Sequence, residues 1–391
     1  MDSTAPPRVT GEPIPGLDGV RGLAILLVLA HNLNPFSGTG RPLERWIEYD
    51  SNFGWVGVQL FFVLSGFLIT GILLDTRGAP RYLRAFFARR VLRIFPLYYG
   101  VLVGGLLVLP ALGLAPSRLL ADPDHRVWLW VYLVNWAEPL GRGVAAFPHF
   151  WSLAVEEQFY FAWPLVVRHA APRRLLAIAG GLMIAALAAR IVVRAAGLGG
   201  EAAYMFTVCR MDALAVGAAV AALIRMPAAH AWLVDQRGRI AVGAGALFVA
   251  GFVTTGGYAR TGLPDQVYGY TILAVMFAAL VVLVVLDHER GRGRIGAIFS
   301  HRILRSFGTY SYGIYLFHQF INQLIGVPLL DRLLPHGTGI KAGIVYMLAV
   351  TAASYAIAFV SYHAYEKHFL ALKRHFTPGQ PAPAAAPPTA G

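Results

Sequence analysis

Three stretches of this chain are apolar over nearly the length of a membrane crossing: "VLVGGLLVLPALGL" (101–114), "IAVGAGALFVAGFV" (240–253) and "YTILAVMFAALVVLVVL" (270–286). With their flanks they approach or reach the ~20 residues that an α-helix needs to cross the hydrocarbon core. Charged residues make up only 14% of the sequence, against about 25% in soluble domains. An all-α polytopic membrane protein is therefore expected.

Apolar runs and their breakers place helices near 17–34, 54–74, 94–114, 150–168, 174–196, 205–225, 239–257, 267–287, 305–327 and 340–366, about ten spans. The first apolar run, Leu23 to Ala30, is followed by "HNLNPF" instead of a small-residue cleavage site. It reads as a retained helix, not a cleaved leader. "VWLWVYLVNWAEP" (127–139) is too short to span and suits a re-entrant or interfacial position.

The positive charges report orientation. Segments 1–18, 75–93, 168–174, 225–239, 287–305 and 366–391 hold 21 Lys and Arg, and the alternate connecting segments hold 8. By the positive-inside bias both termini are cytoplasmic, in a plasma-membrane setting. A net charge of +13 is thereby explained by topology, and a nucleic-acid partner is not expected. The single cysteine, Cys209, excludes an internal disulfide and a thiolate metal cage, and no metal is expected. Three segments follow: a cytoplasmic stretch 1–16, a membrane domain 17–370, and a Pro/Ala-rich disordered tail 371–391.

Several ionisable residues interrupt the spans. Helix 1 carries Arg21 toward the cytoplasmic end and His31 toward the outer end. "HFWSLAVEEQFYFAWP" (149–164) carries Glu156 and Glu157, expected near the outer face. Arg210 and Asp212 lie about one turn into the sixth span, and His318 in the outer half of the ninth. Charge within a bilayer is tolerated when it faces the bundle interior and finds a partner. A buried polar site in the outer half of the membrane is expected.

Each residue also has a plainer reading. His31 suits an interfacial hydrogen bond, Arg210 with Asp212 a structural ion pair, and His318 a carbonyl contact. Glu156 shares a helix face with Ser152 and Tyr160 and is read as the inward carboxylate. Glu157, about 100° away, is left to loop or interfacial contacts. On the opposite side of the membrane, "RYLRAFFARRVLRIFP" (81–96) has the pattern of an interfacial basic helix. Its Arg89, Arg90 and Arg93 form a cluster suited to clamping phosphates.

Six blocks together, "LDGVRGLAILLVLAH" (17–31), "GWVGVQLFFVLSGFLITGILL" (54–74), "RRVLRIFPLYY" (89–99), the 149–164 block, "CRMDALAVG" (209–217) and "SYGIYLFH" (311–318), resemble the signature segments of the membrane-bound acyltransferase-3 family. Its members O-acylate sugars, lipopolysaccharide, peptidoglycan, Nod-factor-like oligosaccharides and macrolides. The resemblance implies a ten-helix bundle and an acyl-CoA donor arriving from the cytoplasm as co-substrate, with no permanently bound cofactor. It carries the catalytic histidine to His31, the paired arginine to Arg21, the arginines after the second span to Arg90 and Arg93, and the acidic residue to Glu156. Arg210, Asp212, His318, Glu157, His149 and Ser152 are the candidates for oxyanion or acceptor contacts.

Three departures stand out. Arg21 and His31 are ten residues apart where eleven is common, which leaves His31 about 80° off the Arg21 face and aligns Asn32 instead. Gln59 stands where an aspartate is frequent. A C-terminal esterase-like domain, present in some members, is not expected.

Transfer of an acyl group to an alcohol needs a base, and His31 is the expected one, with Glu156 orienting it or balancing its charge. Arg210 or His318 would stabilise the oxyanion. The small residues of "SGFLITG" (65–71) suit a narrow channel and a short acyl group. The expected function is an O-acyltransferase moving that group from acyl-CoA to a carbohydrate or macrolide hydroxyl. A glycolipid transporter or flippase using the same buried charges is the alternative, and a non-catalytic sensor or scaffold a further one.

Overall fold

The computed structural model describes residues 14–35, 53–114, 123–144, 146–291, 293–328, 332 and 340–377. Among them every regular element is helical. Expectations for 1–13 and 378–391 lie outside the described residues, as does the link between the first two helices at 36–52.

Ten long helices organise the described residues. In order they are α1 (Pro15–Asn32), α2 (Val56–Asp75), α3 (Tyr82–Ala111), α4 (Trp151–His169), α5 (Pro172–Ala195), α6 (Gly199–Ile224), α7 (Pro227–Thr255), α8 (Asp265–Glu289), α9 (Arg302–Ile321) and α10 (Lys341–Phe376). Seven of them, α2, α3, α5, α6, α7, α8 and α10, are long and apolar enough to cross a membrane. The chain is a multi-pass membrane protein; among the described residues length and composition support seven crossings, and the expected count of about ten is not reached on that measure. The other three, α1, α4 and α9, are not among the seven, and they carry Arg21, Glu156, Glu157 and His318.

The helices separate into a buried centre and an exposed periphery. α2 and α6 form the centre with α8, and α1 and α9 pair closely beside them. α5 and α7 lie outside, presenting Ile184, Val242 and Val253 outward, each more than two-thirds exposed, as lipid-facing side chains are. Close approach of α2 and α6 depends on two glycines. A Cβ on Gly66 would fall 2.0 Å from the Leu214 carbonyl oxygen, and one on Gly217 would fall 1.9 Å from that of Val63. No neighbour there can yield, since both are backbone atoms.

Two expectations change in detail. The basic segment 81–93 does not lie apart along the surface. It is the first half of α3, which continues through Pro96 and a π-helical turn at Gly104–Val108. Phe86, Ile94, Leu97 and Tyr98 bury on both sides of the proline, so one packed face carries the helix through it. The final helix runs to Phe376, five residues beyond the expected start of the tail.

Candidate active site

Two cavities among the described residues hold most of the candidate side chains. The first is framed by α1, α2, α3, α4 and α9, has a volume of about 800 Å³ including its mouth, and is lined by Arg21, Ser65, Arg90, Arg93, Glu156, Glu157 and Tyr160. Ser65, in the middle of α2, donates to Glu156 Oε1. The Arg90 guanidinium stacks 4.6 Å from the centre of the Tyr160 ring. Arg21 is held by Asp18 at 2.9 Å. Lys373, on the last turn of α10, interacts with the same cluster of cations. Three arginines beside two carboxyl groups give this cavity the means to hold an anion.

The second cavity, about 950 Å³ with its mouth, lies toward the His31 end of α1. His31, Asn32, His149, Trp55, Trp151 and Tyr204 line it, with Glu138, Glu201 and Arg260 around them. Gly54 brings the start of α2 against His31: a Cβ there would meet the His31 backbone nitrogen at 2.9 Å. Arg260 pairs with Glu201 through two bonds of 2.6 and 2.9 Å and stacks 4.9 Å from the Tyr204 ring centre. His149 is 5% exposed, and neither of its ring nitrogens makes a hydrogen bond. Such a buried, unsatisfied imidazole is costly unless a ligand completes it. His318 is already engaged. Its Nδ1 lies 2.7 Å from the Tyr315 carbonyl oxygen and its Nε2 3.0 Å from Asn32 Nδ2.

The expected single chamber is thus two. Glu156 lines the arginine cavity and His31 the other, so the carboxylate does not sit beside the imidazole it was expected to orient. Glu156 follows the first turn of α4, where Ser65 of α2 donates to it and the Arg90 side chain of α3 packs on Tyr160 one turn further on. Glu157 also differs from expectation. It lines the same cavity as Glu156, since the cavity extends round α4 between α2, α3 and α9 and takes in two side chains 100° apart.

Arg210 and Asp212 line neither cavity and do not pair with each other. Arg210 is fully buried among the rings of Phe62, Trp151, Tyr204 and Tyr270, whose centres lie 4.5–5.9 Å from its guanidinium carbon. Its Nη2 donates to Gln59 Oε1 at 2.6 Å, and Gln59 donates to the Tyr270 carbonyl at 2.8 Å. A neutral amide does both, which an aspartate at position 59 would not. Asp212 is taken by Arg190 at 2.8 Å and by Thr271 at 3.0 Å. The oxyanion role expected of Arg210 therefore has no access to a reacting atom here. Arg89 is exposed and outside the arginine cavity, while Arg90 and Arg93 line it. Ser152 lines that cavity too.

A family model described as an acyltransferase domain matches residues 14–363, nearly the whole described bundle. The chain belongs to the acyltransferase-3 family. Among curated proteins it is 28% identical over 347 residues to the peptidoglycan O-acetyltransferase OatA of Listeria monocytogenes, covering 84% of this chain and 52% of that protein. It is 28% identical over 318 residues to the O-acetyltransferase OatA of Staphylococcus aureus, covering 78% and 50% respectively. The chain spans about half the length of the curated relatives it matches. No solved structure matches it.

For an acyltransferase-family chain, the residues that sequence reasoning missed are informative. Ser65 was visible as a hydroxyl in an apolar span, and Tyr315 as a phenol three residues before His318. Arg190 was visible as a charge in mid-span. Glu138, Glu201 and Arg260 come from connecting segments, where charge is ordinary, and left no signal.

Proposed function

We propose that this protein is an O-acyltransferase that moves a short acyl group, acetyl being the reference case, from acyl-CoA to a hydroxyl of a cell-envelope carbohydrate. Membership of the family and likeness to two O-acetyltransferases, one of them named for peptidoglycan, support the reaction class. The observation that carries the reading is the division of chemistry between the cavities: Arg21, Arg90 and Arg93 in one, the imidazoles of His31 and His149 in the other.

In this reading the CoA phosphates sit by Arg90 and Arg93, from the cytoplasmic side given by the positive-inside bias, and both termini lie on that side of the plasma membrane. The thioester reaches the His31 cavity, some ~15 Å along α1 from Arg21, within the span of a pantetheine arm. Sugar rings stack on Trp55, Trp151 and Tyr204 and bond to Glu138, Glu201 and Arg260. His31 takes the proton of the attacking hydroxyl as the C–O bond forms, the C–S bond breaks, and the proton passes to the departing thiolate. His149 completes its hydrogen bonds on the acceptor. Glu156 and Glu157 hold the arginine cavity's charge balance, so that the anionic donor binds and CoA leaves again.

Purified protein is expected to release free CoA thiol from acetyl-CoA in a manner dependent on an added oligosaccharide, and His31→Ala to abolish that release. Transport of a glycolipid with no thioester consumed would establish the flippase alternative. Undiminished thiol release by His31→Ala would remove the proposed base.

A further inference from the structure

Among the described residues only Val58 and Tyr315 line both cavities. They are 7% and 6% exposed and stand on α2 and α9, which contribute to both chambers. The Tyr315 hydroxyl is fixed from two directions. It donates to the His149 carbonyl at 2.8 Å and lies 2.6 Å from Ser152 Oγ. Ser152 lines the arginine cavity and His149 the other, so the hydrogen-bonded chain Ser152–Tyr315–His149 runs across the partition. The ring is flanked by Phe61 on one side and by His149 and His318 on the other, at centroid distances of 6.4, 5.3 and 5.6 Å.

We propose that Tyr315, facing Val58, is a shutter between the two cavities and that the opening it leaves sets the largest acyl group the protein transfers. This rests on the reading that the thioester enters by the arginine cavity. A group crossing to His31 must displace the phenol from Ser152 and from the His149 carbonyl. An acetyl group needs little more than the width of the chain behind it. Each added methylene meets the buried ring and the Val58 side chain, which must give way further for a longer chain. Selectivity for chain length then arises at the partition, not at the base.

The test compares acetyl-CoA with hexanoyl-CoA in the purified full-length protein, with an N-acetylglucosamine tetramer as acceptor and thiol release as readout. Tyr315→Ala and Val58→Ala are each expected to raise the hexanoyl-to-acetyl ratio of kcat/KM by at least ~10-fold, the scale of methylene discrimination in apolar sites. Tyr315→Phe keeps the ring and is expected to hold the ratio near that of the unaltered protein. If Tyr315→Ala proves unfolded by its thermal transition, Val58→Ala decides. An unchanged ratio in the folded enlarging variants overturns the shutter while leaving the reaction assignment intact. Loss of turnover at every chain length in a folded Tyr315→Ala overturns it as well, by making the phenol part of the chemistry. No thiol release from the unaltered protein with either donor overturns the assignment and the shutter together.

Discussion

Asn32 Nδ2 lies 3.0 Å from His318 Nε2, a contact between residues 286 positions apart that closes α1 onto α9. Because the Tyr315 carbonyl at 2.7 Å from Nδ1 can only accept, Nδ1 carries the proton and Nε2 accepts from the asparagine. His318 is held as one neutral tautomer. This also accounts for the ten-residue interval between Arg21 and His31: α1 is regular from Pro15 to Asn32, so no bulge restores the eleven-residue alignment. Asn32 occupies that aligned position and fixes the neighbouring imidazole. Replacing it with leucine is expected to lower kcat/KM about five-fold, the equivalent of one neutral hydrogen bond of about 1 kcal/mol. Steady-state kinetics with acetyl-CoA would show this, and an unaltered value would mean that the orientation of His318 is irrelevant to turnover.

Glu156 lines the arginine cavity and receives the Ser65 hydroxyl. Glu156→Gln keeps the shape and the hydrogen bond but removes the charge. Thiol release is expected to fall at least ~100-fold, consistent with loss of a charged interaction in a water-poor site. Ser65→Ala, which leaves the charge, is expected to cost ~5-fold, since one neutral donor is lost. Equal effects from the two substitutions would show that the charge of Glu156 is not what matters.

Arg90 and Arg93 face the cavity and Arg89 does not. Alanine at position 90 or 93 should raise KM for acetyl-CoA by ~10-fold or more, as expected when a charge-assisted bond to phosphate is lost. Arg89→Ala should change it less than ~2-fold, as a solvated surface charge does. Rising salt should weaken donor binding in the unaltered protein and less so in the two cavity variants. A KM increase for Arg89→Ala as large as for Arg93→Ala would place the donor on the outer surface of α3.

The helices were readable because apolar runs of span length admit few alternatives, and although Glu138, Glu201 and Arg260 lie outside the six motif blocks, those blocks hold Arg21, His31, Arg90, Arg93, Glu156 and Glu157, which line the two cavities. Their division was not readable. Which cavity Glu156 enters is set where α4 meets Ser65 of α2, a property of helix packing that no local pattern encodes. Likewise a 100° separation made Glu157 seem excluded from the site of Glu156, whereas the width of the cavity is decided by how far α2, α3 and α9 stand from α4. Arg210 and Asp212, two residues apart, invited pairing with each other. Their partners, Gln59 and Arg190, are chosen by helix packing across the bundle.

That exchange of partners yields the last prediction. Arg190 and Asp212 are both fully buried, and Arg190 also donates to the carbonyls of Cys209 and Gln266 and to Thr271. Removing one member leaves the other charge without compensation, at a cost of about 3–5 kcal/mol. Arg190→Met and Asp212→Asn should therefore each lower the thermal transition of the detergent-solubilised protein markedly. The double variant Arg190→Met, Asp212→Leu should recover much of the loss, because a neutral apolar pair carries no uncompensated charge. Arg210 gives the control. Its cation rests on four aromatic faces and a neutral amide, so Asp212→Asn should leave its surroundings unaffected, and combining Asp212→Asn with Arg210→Met should give additive losses. Strong coupling between Asp212 and Arg210, with none between Asp212 and Arg190, would restore the pairing that the sequence alone suggested.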